Sequence, residues 1–279
     1  MVKRKRISDV EKWIKEGRGT GNGPEYKPWI KIQDVSSSGR STRLRGLKTG
    51  RQHEFLSDLE KNYFYLSEFS DLVLDIREQF PLLPLEETIL IAEELGIPHP
   101  KHPQTGEYIV MTTDFFLTVS SENEVTEVAR TVKSKDDLIN KRIIEKFEIE
   151  REYWQRRNVE WAIVTEEEIN KTFARNIGYI HSYYDISQHD AFQAIDEATL
   201  EDIIFELIKR LLNASASVRT IASQFDKDLH LPSGSGITIF YHLLIRKIIA
   251  IDFSKVINLD ELIEISVLTE RDLKKVKYG

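Results

Sequence analysis

Asp114 and Lys133, a carboxylate and an amine with eighteen residues between them, are the pair in this sequence whose types suit reaction chemistry. A further acid, Glu60, lies upstream. Hard carboxylate oxygens bind magnesium, a bound cation polarises a phosphate and lowers the pKa of a water, and an ammonium orients that water or offsets developing charge. That combination serves phosphodiester hydrolysis. The side-chain alternation of a strand would put Val110, Thr112, Asp114 and Phe116 on one face of residues 108–119. It would likewise put Ala129, Thr131 and Lys133 on one face of residues 125–133, so Asp114 and Lys133 can point to the same side. Glu60 lies four residues from both Leu56 and Phe64, at the edge of an apolar helical stripe. The same Asp-to-Lys spacing is met by a structural ion pair or by two edge charges, and spacing alone does not choose between these readings.

The elements that must position these residues follow from periodicity. Leu56, Leu59, Tyr63, Leu66 and Phe69 recur at three- and four-residue spacing and predict an amphipathic helix from His53. Leu72 to Ile76 predicts a short strand, stopped by Phe80-Pro81-Leu82-Leu83-Pro84. Residues 108–119 and 125–133 are rich in β-branched and aromatic types and predict neighbouring strands joined by a turn. Leu138, Ile143, Phe147, Glu150 and Trp154 predict a helix over 136–157, and 159–164 another strand. This alternation implies an α/β or α+β layered domain ending near Thr165. Beyond Glu166–Glu168 the pattern turns mostly helical, with helices over 200–212, 218–225 and 237–249 and a possible closing strand at 248–253.

The 279 residues suit one large or two medium domains, and 41% apolar with 30% charged residues suits a folded, soluble chain. No apolar run approaches the roughly 18–20 residues that cross a bilayer, and the basic N-terminus leads into no signal-like segment. The absence of cysteine excludes disulfides, thiolate metal sites and cysteine nucleophiles, and is compatible with a cytoplasmic location. The net charge of -7 hides an asymmetry: residues 1–52 hold 14 Lys/Arg against 5 Asp/Glu, a local +9, which leaves -16 for the remainder. Lys3, Arg4, Lys5 and Arg6 open a basic arm, and Arg40, Arg43, Arg45, Lys48 and Arg51 form a tract without periodicity that reads as a loop able to track a phosphate backbone. A solvated leader would look the same.

Other candidates are weaker. Gly17, Gly19, Gly21 and Gly23 lack the Gly-Lys-Ser/Thr ending of a phosphate loop and read as a hinge. His99 and His102 offer half a zinc site with no adjacent third ligand. Glu78 reads either as a residue near a metal or as an ion-pair partner. Leu243, Leu244, Ile248 and Ile249 suit core packing or a protein interface better than a DNA groove.

Several strings resemble the TnsA family, endonuclease subunits of heteromeric bacterial cut-and-paste transposases. They are Gly39-Arg40-Ser41, Lys48-Thr49-Gly50-Arg51, Ser57-Asp58-Leu59-Glu60, the run from Asp75 to Pro84, Met111-Thr112-Thr113-Asp114-Phe115, Val132-Lys133 and Glu150-Arg151-Glu152-Tyr153-Trp154-Gln155. The resemblance covers roughly residues 10–170 and continues more weakly beyond. It implies a restriction-endonuclease-like N-terminal domain over 1–168, a mixed sheet flanked by helices, and a mainly helical, winged-helix-like interaction domain over 169–279. It implies hydrolysis of the 5′ strands at transposon ends beside a DDE-type transposase, TnsB, with the regulatory ATPase TnsC as a further partner. By motif position Glu60 and Asp114 become metal-binding carboxylates and Lys133 the catalytic lysine. The cofactor implied is Mg2+, as two ions, with Mn2+ able to substitute. Relatives often carry Gln or Glu two residues before the lysine, where this chain has Thr131; the main-chain carbonyl of Val132, DNA oxygens and water would then complete the ligand set. The rival readings are a non-catalytic scaffold of the transposition complex, which Thr131 favours, and a stand-alone restriction or repair nuclease.

Overall fold

A computed structural model describes residues 9–35, 40–121, 124–213 and 215–267. Lys3, Arg4, Lys5 and Arg6 of the basic arm, and Ser36 to Gly39, lie outside the described residues. The chain divides into two compact units, one ending at Ile169 and one beginning at Asn170.

In the first unit α1 (Asp9–Lys15) leads into the glycine run, which is a tight turn rather than a hinge. The Gly19 amide donates to the Lys27 carbonyl at 2.6 Å, and a Cβ on Gly19 would stand 2.3 Å from Pro81 Cγ. With φ at +76°, that position admits only glycine. The basic tract is a hairpin rather than a loop: β1 (Thr42–Arg45) pairs antiparallel with β2 (Gln52–Phe55). Strand alternation leaves Arg43 and Arg45 on its exposed side. The helix expected from His53 therefore starts later. α2 (Asp58–Phe69) begins after Ser57, whose hydroxyl accepts the Glu60 amide as an N-cap.

There follow β3 (Val73–Pro81), α3 (Leu85–Glu94), β4 (Thr112–Ser121), β5 (Glu124–Val132), α4 (Lys141–Gln155) and β6 (Glu160–Val164). The four strands form one mixed sheet in chain order; β3, β4 and β5 are antiparallel neighbours, and β6 runs parallel to β5. α3, which periodicity leaves unassigned, joins α4 on one face. Between them and the sheet lie Leu82, Ile91, Ala92, Phe116, Ala129, Ile149, Tyr153 and Trp154. On the other face Phe55, Phe64 and Tyr63 pack around Phe115, with ring centroids 4.8–5.9 Å apart. Each such side chain buried contributes about 1.5–3 kcal/mol, so the sheet is fastened on both faces. The fold is α/β with a mixed sheet flanked by helices, as the sequence implies.

The second unit is mainly helical: α5 (Lys171–Ile180), α6 (Glu197–Leu212), α7 (Val218–Asp228) and α8 (Ser235–Ile245), then β7 (Ile249–Ala250) paired antiparallel with β8 (Ser266–Val267). The winged-helix detail rests on the resemblance; the structure itself gives, among the described residues, four helices followed by a two-stranded ribbon. Buried Asp226 joins α7 to α8 by accepting the Gly234 and Gly236 amides, both at 2.7 Å. Of the apolar stripe read as core or protein interface, Leu243, Leu244 and Ile249 are buried inside this unit and serve as core, and Ile248 is half-buried.

Candidate active site

The site forms where the sheet opens. β4 and β5 stay paired from Ser121 opposite Glu124 to Phe115 opposite Arg130, and their pairing stops there while β5 continues beside β6 to Val132. Asp114 occupies the point of divergence. Its Oδ2 accepts the Val132 amide at 2.8 Å, so the side chain takes the place of the next rung of the ladder. Its Oδ1 accepts the Gln79 side-chain amide at 3.2 Å, and Gln79 Oε1 in turn accepts the Thr112 hydroxyl at 3.1 Å. Burial pushes the Asp114 carboxyl up to about 6, against the opposing pull of these two donors and of Lys133.

The opening also breaks the alternation expected along β4. Phe116 stacks on Trp154 at 4.7 Å, yet the residue that reaches the same helix three positions earlier is Thr113, whose hydroxyl accepts the Trp154 indole N–H at 2.6 Å. Asp114 does not share the Phe116 face as strict alternation requires.

Glu60 is brought to Asp114 by the first turn of α2. Its Oε1 accepts the Ser57 hydroxyl at 2.8 Å and its Oε2 the Leu56 amide at 3.1 Å, so the carboxylate that closes the helix cap also faces the sheet. Burial, and then the charge of Asp114, raise its carboxyl to about 7. Lys133, the first residue beyond β5, donates its amide to the Val164 carbonyl at 2.9 Å. Its half-exposed ammonium lies 3.2 Å from Asp137 and also lowers the carboxyls of Glu60 and Asp114.

Thr131 points elsewhere. Its hydroxyl donates to Glu150 on α4, a buried carboxylate that periodicity places in a helix without assigning it a task. Thr113 at 2.7 Å and the Trp161 indole at 3.0 Å donate to the same Oε1. Burial raises the Glu150 carboxyl to about 7, with the Asp114 charge adding to the rise. A legible signal existed: Glu150 sits between Ile149 and Tyr153-Trp154, inside the apolar stripe of its helix. Gln79 has a fainter one, an amide side chain inside a strand.

Glu60 and Asp114 suit a hard divalent cation: both are carboxylates, Glu60 is buried and Asp114 half-buried, and the charge of Asp114 opposes ionisation of Glu60, which a cation would relieve. Among the described residues no three His, Cys, Asp or Glu side chains already form a metal nest, so further ligands must come from backbone, water or substrate.

The basic tract separates into two groups. Arg40, Arg43 and Arg45 are exposed, and Arg43 also pairs with Glu54 at 3.1 Å. Arg51, expected at DNA, is instead turned inward. Its guanidinium bonds both carboxylate oxygens of Glu78 and the Ile76 carbonyl, and its side chain is 8% exposed. The Lys48 ammonium is likewise given to the Ser70 carbonyl at 2.8 Å, at the end of α2. Glu78 is thereby an ion-pair partner, its oxygens taken up by Arg51 and His53. Burial would raise its carboxyl, but His53 and Arg51 outweigh that and hold it at about 2. His99 bonds Thr88 at 2.9 Å, and His102 accepts the amides of Gln104 and Thr105, so the two build loop structure and no half zinc site.

With this geometry, comparison with known proteins is informative. Residues 70–166 match the family model described as TnsA-like endonuclease N terminal, and residues 168–253 match TnsA endonuclease C terminal. Asp114, Thr131, Val132, Lys133 and Glu150 fall inside the first match, and Glu60 lies ahead of it. The chain is 45% identical over 173 residues to the Transposon Tn7 transposition protein TnsA of Escherichia coli, an alignment spanning 62% of this chain and 62% of that relative. Both halves of one family are matched in order along a single chain whose sheet opens at Asp114, and the chain belongs to the TnsA endonuclease family.

Proposed function

We propose that the protein is the metal-dependent DNA endonuclease subunit of a heteromeric transposase, hydrolysing the 5′ strands at transposon ends. The observation that supports this reading is that Asp114 sits at the opening between β4 and β5 within electrostatic reach of Glu60 and Lys133. Glu60, Asp114 and the Val132 carbonyl would hold Mg2+, two ions with Mn2+ able to substitute, together with DNA oxygens and water. When bound, the cation supplies polarisation of the scissile phosphate and a more acidic water.

The protein's own groups do the rest. Val132 and Gln79 each occupy one oxygen of Asp114, which fixes its plane and leaves further lone pairs of the carboxylate for ligation. Ser57 and Leu56 fix Glu60 in the same way. Because burial holds both carboxyls partly protonated near neutrality, they must release protons to bind a cation, and affinity for it rises with pH. Lys133 leaves Asp137 to orient the attacking water or to offset charge developing on the phosphate. The water oxygen bonds to phosphorus as the bond to the 3′ oxygen breaks, leaving a 5′-phosphate and a 3′-hydroxyl. Arg40, Arg43 and Arg45 would lie along the duplex at the transposon end. The proposed partners are the DDE-type transposase TnsB and the regulatory ATPase TnsC, the latter at the helical second unit, with the assembly acting in the cytoplasm. Among the described residues no helix is long and apolar enough to cross a membrane.

The test is cleavage of end-containing DNA by the reconstituted complex with and without Mg2+. Asp114→Ala should abolish 5′-strand cleavage while partner binding survives, and Lys133→Ala should block chemistry more than DNA association. Full 5′ cleavage by Asp114→Ala would sink the assignment.

A further inference from the structure

We propose that Gln79 is a positioning residue of the nuclease site, its side-chain amide reaching from β3 to set Asp114 and its backbone held in a strained conformation to do so. This inference deepens the endonuclease reading and rests on it.

Three observations carry it. First, φ at Gln79 is +49°, a left-handed conformation that costs a non-glycine residue of order 1–3 kcal/mol. Among the described residues the other non-glycine positions with positive φ are Asn158, His230 and Lys247. Each closely follows a helix end, where this conformation is an ordinary stop. Gln79 lies inside a strand, across from Asp114 in a register that pairs Phe80 with Thr113 and Glu78 with Phe115.

Secondly, both ends of the amide are used although the residue is only 3% exposed. An ionised carboxylate only accepts, so the NH2 group must be the end that faces Asp114; the oxygen then takes the Thr112 hydroxyl. The orientation of the amide follows from chemistry. Thirdly, β5 gives Asp114 only the Val132 backbone amide and no side-chain support, because the Thr131 hydroxyl is committed to Glu150.

The backbone is clamped on both sides. The Gln79 carbonyl accepts the Trp29 amide at 3.1 Å, Glu78 is fixed by Arg51 and His53, and Phe80 packs 4.4 Å from Phe116. The surrounding structure holds the strain, and what the strain achieves is an amide against the acid at the sheet opening.

The design gives a variant that separates folding from function. Gln79→Gly removes the amide but suits φ +49° better than glutamine does, so the full-length chain should melt at or above the wild-type temperature. Gln79→Asn keeps an amide and tolerates the left-handed backbone but is one methylene too short to reach Asp114. In the reconstituted complex both variants should need about tenfold more Mg2+ for half-maximal 5′ cleavage and should cut at least tenfold more slowly at saturation. Mn2+ binding by the isolated full chain, followed by electron paramagnetic resonance, should weaken in parallel. A well-folded Gln79→Gly protein with wild-type Mn2+ affinity and wild-type Mg2+ dependence overturns the proposal and leaves the nuclease reading standing. A wild-type complex that neither binds Mn2+ nor cuts overturns both.

Discussion

Replacing Glu150 by glutamine should make the protein more stable at alkaline pH, although it removes a buried residue with three hydrogen bonds. Those bonds, from Thr113, Thr131 and Trp161, all enter Oε1, which an amide oxygen reproduces. What the substitution removes is the ionisation. Burial raises the Glu150 carboxyl from 4.5 to about 7, so between those pH values the unfolded chain has lost a proton that the folded chain still holds. The folded state then binds more protons than the unfolded, and stability falls as pH rises through that window. At 1.36 kcal/mol per pKa unit the loss is about 3 kcal/mol once pH exceeds 7. For a unit of this size that corresponds to roughly 6–12 °C in melting temperature. The assay is thermal unfolding of wild type and Glu150→Gln in EDTA from pH 5 to 8.5. The two should melt closest together at pH 5, and the variant should gain progressively from there to about pH 7 and hold that gain beyond it. A difference that does not change with pH, or a variant less stable than wild type at pH 8.5, would refute the reasoning.

The basic residues should divide by experiment as they divide in space. Changing Arg40, Arg43 and Arg45 to Gln should shift stability by no more than about 0.5 kcal/mol each and flatten the salt dependence of DNA binding by about 0.9 ion per lost phosphate contact. Arg51→Met should instead cost about 3 kcal/mol in urea unfolding, because it strips the guanidinium from Glu78, which is 1% exposed; an unaltered midpoint would return Arg51 to the DNA-binding group. A fragment starting at Asn170 should unfold cooperatively by circular dichroism, since Leu207, Phe225, Phe240, Leu243 and Leu244 give it a core of its own. It should also bind the ATPase regulator while cutting nothing. A fragment that is unstructured, or that binds duplex DNA tightly and no ATPase, would count against that division.

Much of this arrangement was open to a reader of residues alone, and the misses share a cause. The strands beneath Asp114 and Lys133 follow from β-branched runs, but strict alternation misplaces the face of Asp114, and it is the family resemblance rather than spacing that selects Glu60, Asp114 and Lys133 as a site. Gln79 and Glu150 carry local signals of burial but none of their task, because that task depends on where β4 stops pairing with β5, a long-range event that no local period records. Arg51 and Lys48 looked like Arg43 because charge patterns do not name partners: Glu78 lies 27 residues beyond Arg51, and the Ser70 carbonyl has no side-chain signature at all. The hairpin of β1 and β2 was missed for the reason that arginine-rich strands are short and half-exposed, and so show little apolar alternation.

Asp114 serves as a rung of the sheet as well as an acid. A carboxylate hung on an ordinary strand could drift a little and still act; here the bond from Val132 ties its aim to the integrity of the β4–β5 junction. Fraying of β5 at Val132 therefore also removes a bond that sets the direction of the Asp114 carboxylate. In the nuclease reading, an unfolding copy would lose its acid's aim together with this corner of the sheet.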